Sequence, residues 1–241
     1  MNFVAIKTSE QSDLLSLHRV RSRLVGQRTA VINQIRGFLI ERGITVRQGP
    51  APLRKALPAI LSSPADVLSP RMVHLIADLS EDWRRLDERI QVVSTEIETL
   101  AENDGSCQRL MTVPGVGPII SSAVVAAIGN GSGFSQGRDF GAWLGLVPKQ
   151  ESTGDRTKLG KISKRGNKYL RTLFVQAAHV VLVRRPAAAM LGLWPWIERA
   201  AKRLAHRNLL AIALANKLAR IAWAVLARGR DYEPRITTNA A

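Results

Sequence analysis

The chain has 241 residues, with 35 Lys and Arg against 19 Asp and Glu, a formal net charge of +16 and an isoelectric point near 11.2. Hydrophobic residues make up 46% and charged residues 22%, enough apolar side chain to bury a core, which excludes a disordered basic tail. No run reaches the roughly 18–20 uncharged apolar residues of a membrane span, the first residues lack a basic-then-apolar signal pattern, and Cys107 with four scattered histidines offers neither an internal disulfide nor a zinc spacing, so the reading is no membrane and a reducing cytoplasm.

Charge is segregated along the chain. Residues 1–65 carry 10 basic and 3 acidic side chains, 66–106 carry 4 and 10, and 107–241 carry 21 and 6. Two basic blocks around an acidic one are what a polyanionic partner, DNA or RNA, requires. From Thr8 to about Arg42, Leu14, Leu17, Val20, Leu24, Val31, Ile35, Phe38 and Leu39 recur at the helical period. Thr8 with Gln11 forms a capping box that starts this helix. Gly43 to Pro64 is a Gly- and Pro-rich connector with room for a short helix around Leu53–Leu61. A second long helix starts at the cap Ser69 with Pro70 in its first turn and runs through Met72, Ile76, Leu79, Trp83, Leu86, Ile90, Val93, Ile97 and Leu100. The pair predicts an antiparallel, coiled-coil-like arm over residues 1–105 that assembles chains into a dimer or tetramer. Arg19, Arg21, Arg23, Arg28 and Arg36 either face phosphates or pair with the acidic second helix.

After the polar turn Glu102–Ser106 the composition changes to small residues and positive charge, marking a second domain over 106–230 and a flexible tail over 231–241. Leu110 to Ile120 contains Pro-Gly-Val-Gly-Pro between two apolar stretches, the pattern of a helix-hairpin-helix in which Gly115 and Gly117 let backbone amides meet a phosphate. A short helix then follows from Arg138, with Phe140, Trp143 and Leu144 turned to the core, and Gly145 to Pro148 closes it. Positions 149–171 hold eight basic and two acidic residues interleaved with hydroxyls and glycines, in a loop or hairpin leading to a helix over about Asn167–Arg184. Lys149, Arg156, Lys158, Lys161, Lys164, Arg165, Lys168 and Arg171 are therefore nucleic-acid-binding candidates. A last helix, Asn208–Arg228, closes the domain. The fold class is all-α, an antiparallel helical arm followed by a compact helical domain. On these residues alone, Ser152 reads as a phosphate-contacting or turn-capping hydroxyl.

The order of these motifs, PGVGP, then F-x5-F-x2-WLGLVPKQ-x-STG, then LGKISKRGNKYLRTL, then NKLARIAWAVL, resembles the C-terminal domain of the insertion-sequence "one-ten" family of transposases, related to the Piv and MooV invertases. The stretch from Lys7 to Leu39 is similar to the same family's coiled coil, so the resemblance covers about Val4 to Ala227. The resemblance implies DNA transposition, a serine nucleophile at Ser152, a structured guide RNA, and an RNase H-like domain ahead of the arm whose acidic residues bind Mg2+. That domain has no counterpart in these 241 residues, and no metal motif replaces it. Two departures from the family pattern, Glu151 and Asp155, put carboxylates around Ser152. The alternative is a non-catalytic nucleic-acid-binding partner of full-length transposases.

Overall fold

Helical periodicity decides most of the chain. The computed structural model describes residues 6–62, 67–154, 156–184, 192–204 and 206–234. Among these it forms nine α-helices and one two-stranded antiparallel sheet: α1 Ser9–Ile40, α2 Pro50–Leu61, α3 Pro70–Glu102, α4 Gly105–Met111, α5 Pro118–Ile128, α6 Gly137–Trp143, β1 Pro148–Thr153, β2 Arg156–Ile162, α7 Lys168–Arg184, α8 Trp194–Arg203 and α9 Arg207–Arg228. The all-α expectation holds, with the hairpin as its β element. Asp155 and residues 235–241 of the expected tail lie outside the described residues.

The start signals act as the sequence predicts. Thr8 N–H donates to Gln11 Oε1 and Gln11 N–H to Thr8 Oγ1, both at 3.2 Å, closing the capping box of α1. Ser69 Oγ accepts from Met72 N–H at 3.3 Å, and Pro70 begins α3 where a missing N–H costs nothing. The Pro-rich connector keeps a helix, α2, because Pro50 and Pro52 fall in its first turn.

Contacts divide the chain into two compact units, one over 16–96 and one joining the first residues to 97–241. In the first, Arg28 Nη1 bonds Asp87 Oδ1 at 3.1 Å and Arg21 Nε bonds Ser94 Oγ at 2.8 Å, so α1 and α3 run antiparallel. Leu53, Leu57 and Ile60 of α2 join Ile32, Ile35, Leu39, Ile76 and Trp83 in one apolar cluster. Arg36 donates to the carbonyls of Val46, Arg47 and Gly49 at 3.0, 2.8 and 2.6 Å, and Arg54 pairs with Asp87 while covering the Trp83 ring at 4.7 Å. Of the arginines offered either to phosphates or to the acidic second helix, Arg28 pairs with Asp87 of that helix, whereas Arg21 meets Ser94 and Arg36 the connector's carbonyls.

In the second unit α9 is the central helix, with α4, α6, α7 and α8 packed on it and α5 on α7. By length and composition α9 would cross a membrane, yet half of its most apolar stretch is buried in this core, through Leu214, Ala215, Leu218, Ala219 and Ala222. Sequence reasoning missed α8; Pro195 in its first turn and the buried Ile197 and Ala200 are the signals. Tyr232, placed in the tail by the sequence, packs against the core and its N–H donates to Thr112 Oγ1 at 2.8 Å. Cys107 is buried, and burial with Asp104 beside it pushes its thiol up to about 12, so it is no nucleophile.

His18 is 2% exposed, and burial with Arg21 nearby lowers its pKa to about 4 from the usual 6.5. The folded chain refuses a proton that the unfolded chain accepts near pH 6.5. Its contribution to stability is complete above that pH and is lost as pH falls toward about 4. Denaturant unfolding between pH 7 and 4 should therefore show a loss on the order of 3 kcal/mol, and His18→Leu should flatten that dependence.

Candidate nucleic-acid interface

The hairpin β1–β2 pairs Gln150 with Leu159, Glu151 with Lys158, Ser152 with Thr157 and Thr153 with Arg156. Pro148, however, pairs with Ile162, so Gly160 and Lys161 together oppose Lys149 in a β-bulge. Strand alternation then sorts the side chains. Gln150, Ser152, Thr157 and Leu159 lie on one face; Glu151, Thr153, Arg156 and Lys158 lie on the other, and the bulge adds Lys161 on the side of Lys149. One face of the hairpin gathers four cations, and the opposite face carries Ser152 among uncharged neighbours. β1 is exposed throughout and β2 is exposed up to Ile162, so both faces are open to a partner.

The base of the hairpin is fixed to the core. Ser163 N–H donates to Val147 O at 2.8 Å, Lys164 N–H to Gly145 O at 3.1 Å and Asn167 N–H to Trp143 O at 3.2 Å. Asn167 Oδ1 accepts from Leu170 N–H at 3.0 Å and caps α7. Arg171 Nη1 donates to Leu144 O at 2.8 Å, so this expected phosphate ligand also ties α7 to the end of α6. Gly145 at φ 71° and Gly166 at φ 96° face each other across this junction, where a Cβ on the first would overlap the Arg165 carbonyl and one on the second the Trp143 carbonyl. Lys164 adopts φ 55°, a conformation that costs a non-glycine residue roughly 1–2 kcal/mol. The neighbouring bonds hold it there, with Lys164, Arg165 and Lys168 exposed.

Other candidates fall elsewhere. Gly115 has φ 78°, and a Cβ there would stand 2.8 Å from Ala177 O and from Val181 Cγ2, so its role is to let the α4–α5 turn lie on α7. Gly117 has open space around it and precedes Pro118, and its carbonyl accepts the Ile120 and Ser121 amides at 3.0 and 2.9 Å. Two amides of that first turn are thus taken and a third is absent. Trp143, read as core, stacks on Phe140 at 6.0 Å but stays 37% exposed.

Ser152 Oγ accepts from Gln150 Nε2 at 2.9 Å. An amide orients a hydroxyl but cannot take its proton. Arg156 and Lys158 point away from the serine's face, which leaves Lys164 and Arg165 at the hairpin's exit as the cations not assigned to the opposite side. Among the described residues no three or more His, Cys, Asp or Glu side chains cluster as metal ligands, so the residues present do not form a Mg2+ site.

The model for the Transposase IS116/IS110/IS902 family matches residues 107–194, a span that includes the whole hairpin. A probable family 20 transposase of Pseudomonas aeruginosa is 43% identical over 97% of this chain and 69% of its own length. The transposase for insertion sequence element IS1328 of Yersinia enterocolitica is 40% identical over 96% of this chain and 68% of its own. A pilin gene-inverting protein of Moraxella bovis is 30% identical over 65% of this chain and 47% of its own.

The two glycines at the hairpin base should be far less replaceable than the glycine at its tip. Gly166→Ala should cost on the order of 3 kcal/mol in denaturant unfolding and open the hairpin to limited proteolysis. Gly154→Ala, at φ 59° but in open space, should cost about 1 kcal/mol.

Proposed function

The chain belongs to the IS116/IS110/IS902 family of transposases, and from that premise we propose that it binds DNA through the basic face of the hairpin and presents Ser152 as the nucleophile of strand exchange. The two-faced hairpin carries this reading. Lys149, Arg156, Lys158 and Lys161 form a compact cationic surface on a rigidly based ribbon, suited to tracking a phosphate backbone. Lys164, Arg165, Lys168 and Arg171 extend it toward α7, and Gly117, with Gly115 behind it, offers a backbone approach at the start of α5.

In the proposed step Ser152 Oγ attacks the phosphorus of a phosphodiester. A phosphoserine ester forms, the bond to one deoxyribose oxygen breaks, and that oxygen leaves as a hydroxyl; attack by another strand's hydroxyl reverses the ester and frees the serine. The proton of Ser152 needs an acceptor that Gln150 is not. We assign it to an acidic, Mg2+-binding RNase H-like domain beyond these residues, as the resemblance implies. Ser152 faces away from the four cations, so the phosphodiester it attacks belongs to a strand other than the one seated on the basic face. A structured guide RNA is the second nucleic-acid partner, assembly through the arm brings two or four serines together, and the cytoplasm is the site of action.

The reading of a non-catalytic, DNA-occupying partner has one observation in its favour, the Gln150 amide as the hydrogen-bond partner of Ser152. The two readings separate on a covalent product. With the acidic domain supplied in trans, a detergent-resistant protein–DNA adduct should form and should vanish in Ser152→Ala while duplex affinity stays within twofold. No adduct under any such condition would leave the partner reading. Engagement of about six phosphates would make log affinity fall with log salt at a slope of roughly −5, shallower by about 2 in Lys158→Gln/Lys161→Gln.

Assembly has its own measurement. Val92 is 68% exposed and Val20 41%, side by side along a shallow apolar groove of the arm with Leu24 and Val93. Sedimentation at micromolar concentration should give a dimer or tetramer mass that Val92→Glu reduces; a single-chain mass for the parent would refute self-association.

A further inference from the structure

A second concentration of positive charge lies away from the hairpin, in a cleft of about 990 Å3 formed by the start of α6, the C-terminal half of α9 and residues 230–234. Lys217, Arg220 and Arg228 line it from α9, Arg138 from α6 and Arg230 from the segment beyond. Asp231 and Glu233 are the carboxylates at its edge, so cations outnumber them five to two. Among the described residues no carboxylate forms an ion pair with Arg138, Arg220, Arg228 or Arg230. The Lys217 ammonium sits over the Trp196 ring at 4.9 Å.

The cleft is built on fixed elements. α6 crosses α9 at two glycines one turn apart, where a Cβ on Gly137 would stand 3.0 Å from Arg220 O and 3.2 Å from Trp223 Cε3, and one on Gly141 would stand 2.6 Å from Asn216 Oδ1. This close crossing brings the backbone that carries Arg138 against the backbone that carries Arg220. Trp223 Nε1 donates to Gly131 O at 3.0 Å, which holds the indole in the wall, and the Tyr232 amide bond to Thr112 holds the other side. Guanidinium groups in excess over the two carboxylates repel one another, and a polyanion seated among them relieves that repulsion.

We propose that this cleft binds the phosphate backbone of a single nucleic-acid strand, as a site separate from the duplex-binding face of the hairpin. A duplex presents its phosphates on the outside of a stiff rod and would meet the rim, whereas one strand is thin and flexible enough to reach Arg220 and Arg228. The side walls supply Trp223 and Tyr232, half-buried aromatics of the kind that accompany cations where single strands bind. The inference rests on the transposase reading only for the class of its ligand, and its geometry is independent of Ser152 and of β1–β2.

The test is a salt titration of the full chain with three labelled probes: a short oligothymidylate, an oligouridylate of equal length and a DNA duplex. Arg220→Gln/Arg228→Gln removes two exposed charges and should keep the parent's melting temperature. It should bind both single strands roughly tenfold more weakly, with a salt slope shallower by about 1.4, while duplex affinity stays within twofold. Loss on the uridylate alone would also support the cleft and place a ribose hydroxyl in it. A second pair, Arg138→Gln/Arg230→Gln, from other elements, should repeat the result. Unchanged single-strand affinity in both pairs, or equal loss on strand and duplex, would overturn the proposal. The hairpin variant Lys158→Gln/Lys161→Gln serves as the converse, losing duplex and sparing the strands; its failure would count against the hairpin reading and leave the cleft standing.

Discussion

Two peptide segments pressed together without intervening side chains govern the functional half of this molecule. The exit of α6 and the exit of the hairpin meet at Gly145 and Gly166, each seated against a carbonyl of the other segment. Backbone bonds from Ser163, Lys164 and Asn167 close the seam, and the Arg171 guanidinium bolts it from the side of α7. An exposed two-stranded ribbon is marginal by itself. Tied at its root to a helix end and a helix start, both facing a packed core, it gains a definite direction without burying any of its own side chains.

Much of this was legible in the residues. Thr8, Ser69 and Pro70 fixed where the long helices begin, and the basic stretch after Pro148 read as a loop or hairpin, with the choice between them left open. What could not be read was which neighbour each glycine meets. The Gly115 turn and the Gly145–Gly166 seam use the same residue type for the same purpose, close backbone approach, but only the first carried a familiar pattern, and that pattern suggested phosphate rather than α7. The separation of Ser152 from Arg156 and Lys158 was hidden too, because it depends on cross-strand register. α8 escaped because it is short, and its amphipathic face rests on two buried residues.

Net charge by itself says little about what the charges do. In the arm, Arg21, Arg28, Arg36 and Arg54 satisfy a serine, a carboxylate, three carbonyls and an indole face. Those cations build structure and would be costly to redirect. In the C-terminal unit Arg156, Lys158, Arg138, Arg220, Arg228 and Arg230 are exposed and form no ion pair with a carboxylate among the described residues, so they set the electrostatic field around it. One composition thus serves two ends, according to whether carboxylates and carbonyls lie within reach.

The bulge at Gly160 and Lys161 turns the hairpin's charge pattern into a matter of parity. In a regular ladder every second residue of β2 shares a side, so Lys161 would stand with Thr157 and Leu159, next to the serine. One extra residue shifts the count from odd to even and sends that lysine across the ribbon to join Lys149. Excising Gly160 would alter no charge and would restore the regular count, and Lys161 would keep its side, now as the direct cross-strand partner of Lys149. The bulge therefore decides where this positive charge lies relative to the hydroxyl: the same residues paired in regular register would bring Lys161 to the serine, and the bulge keeps it away.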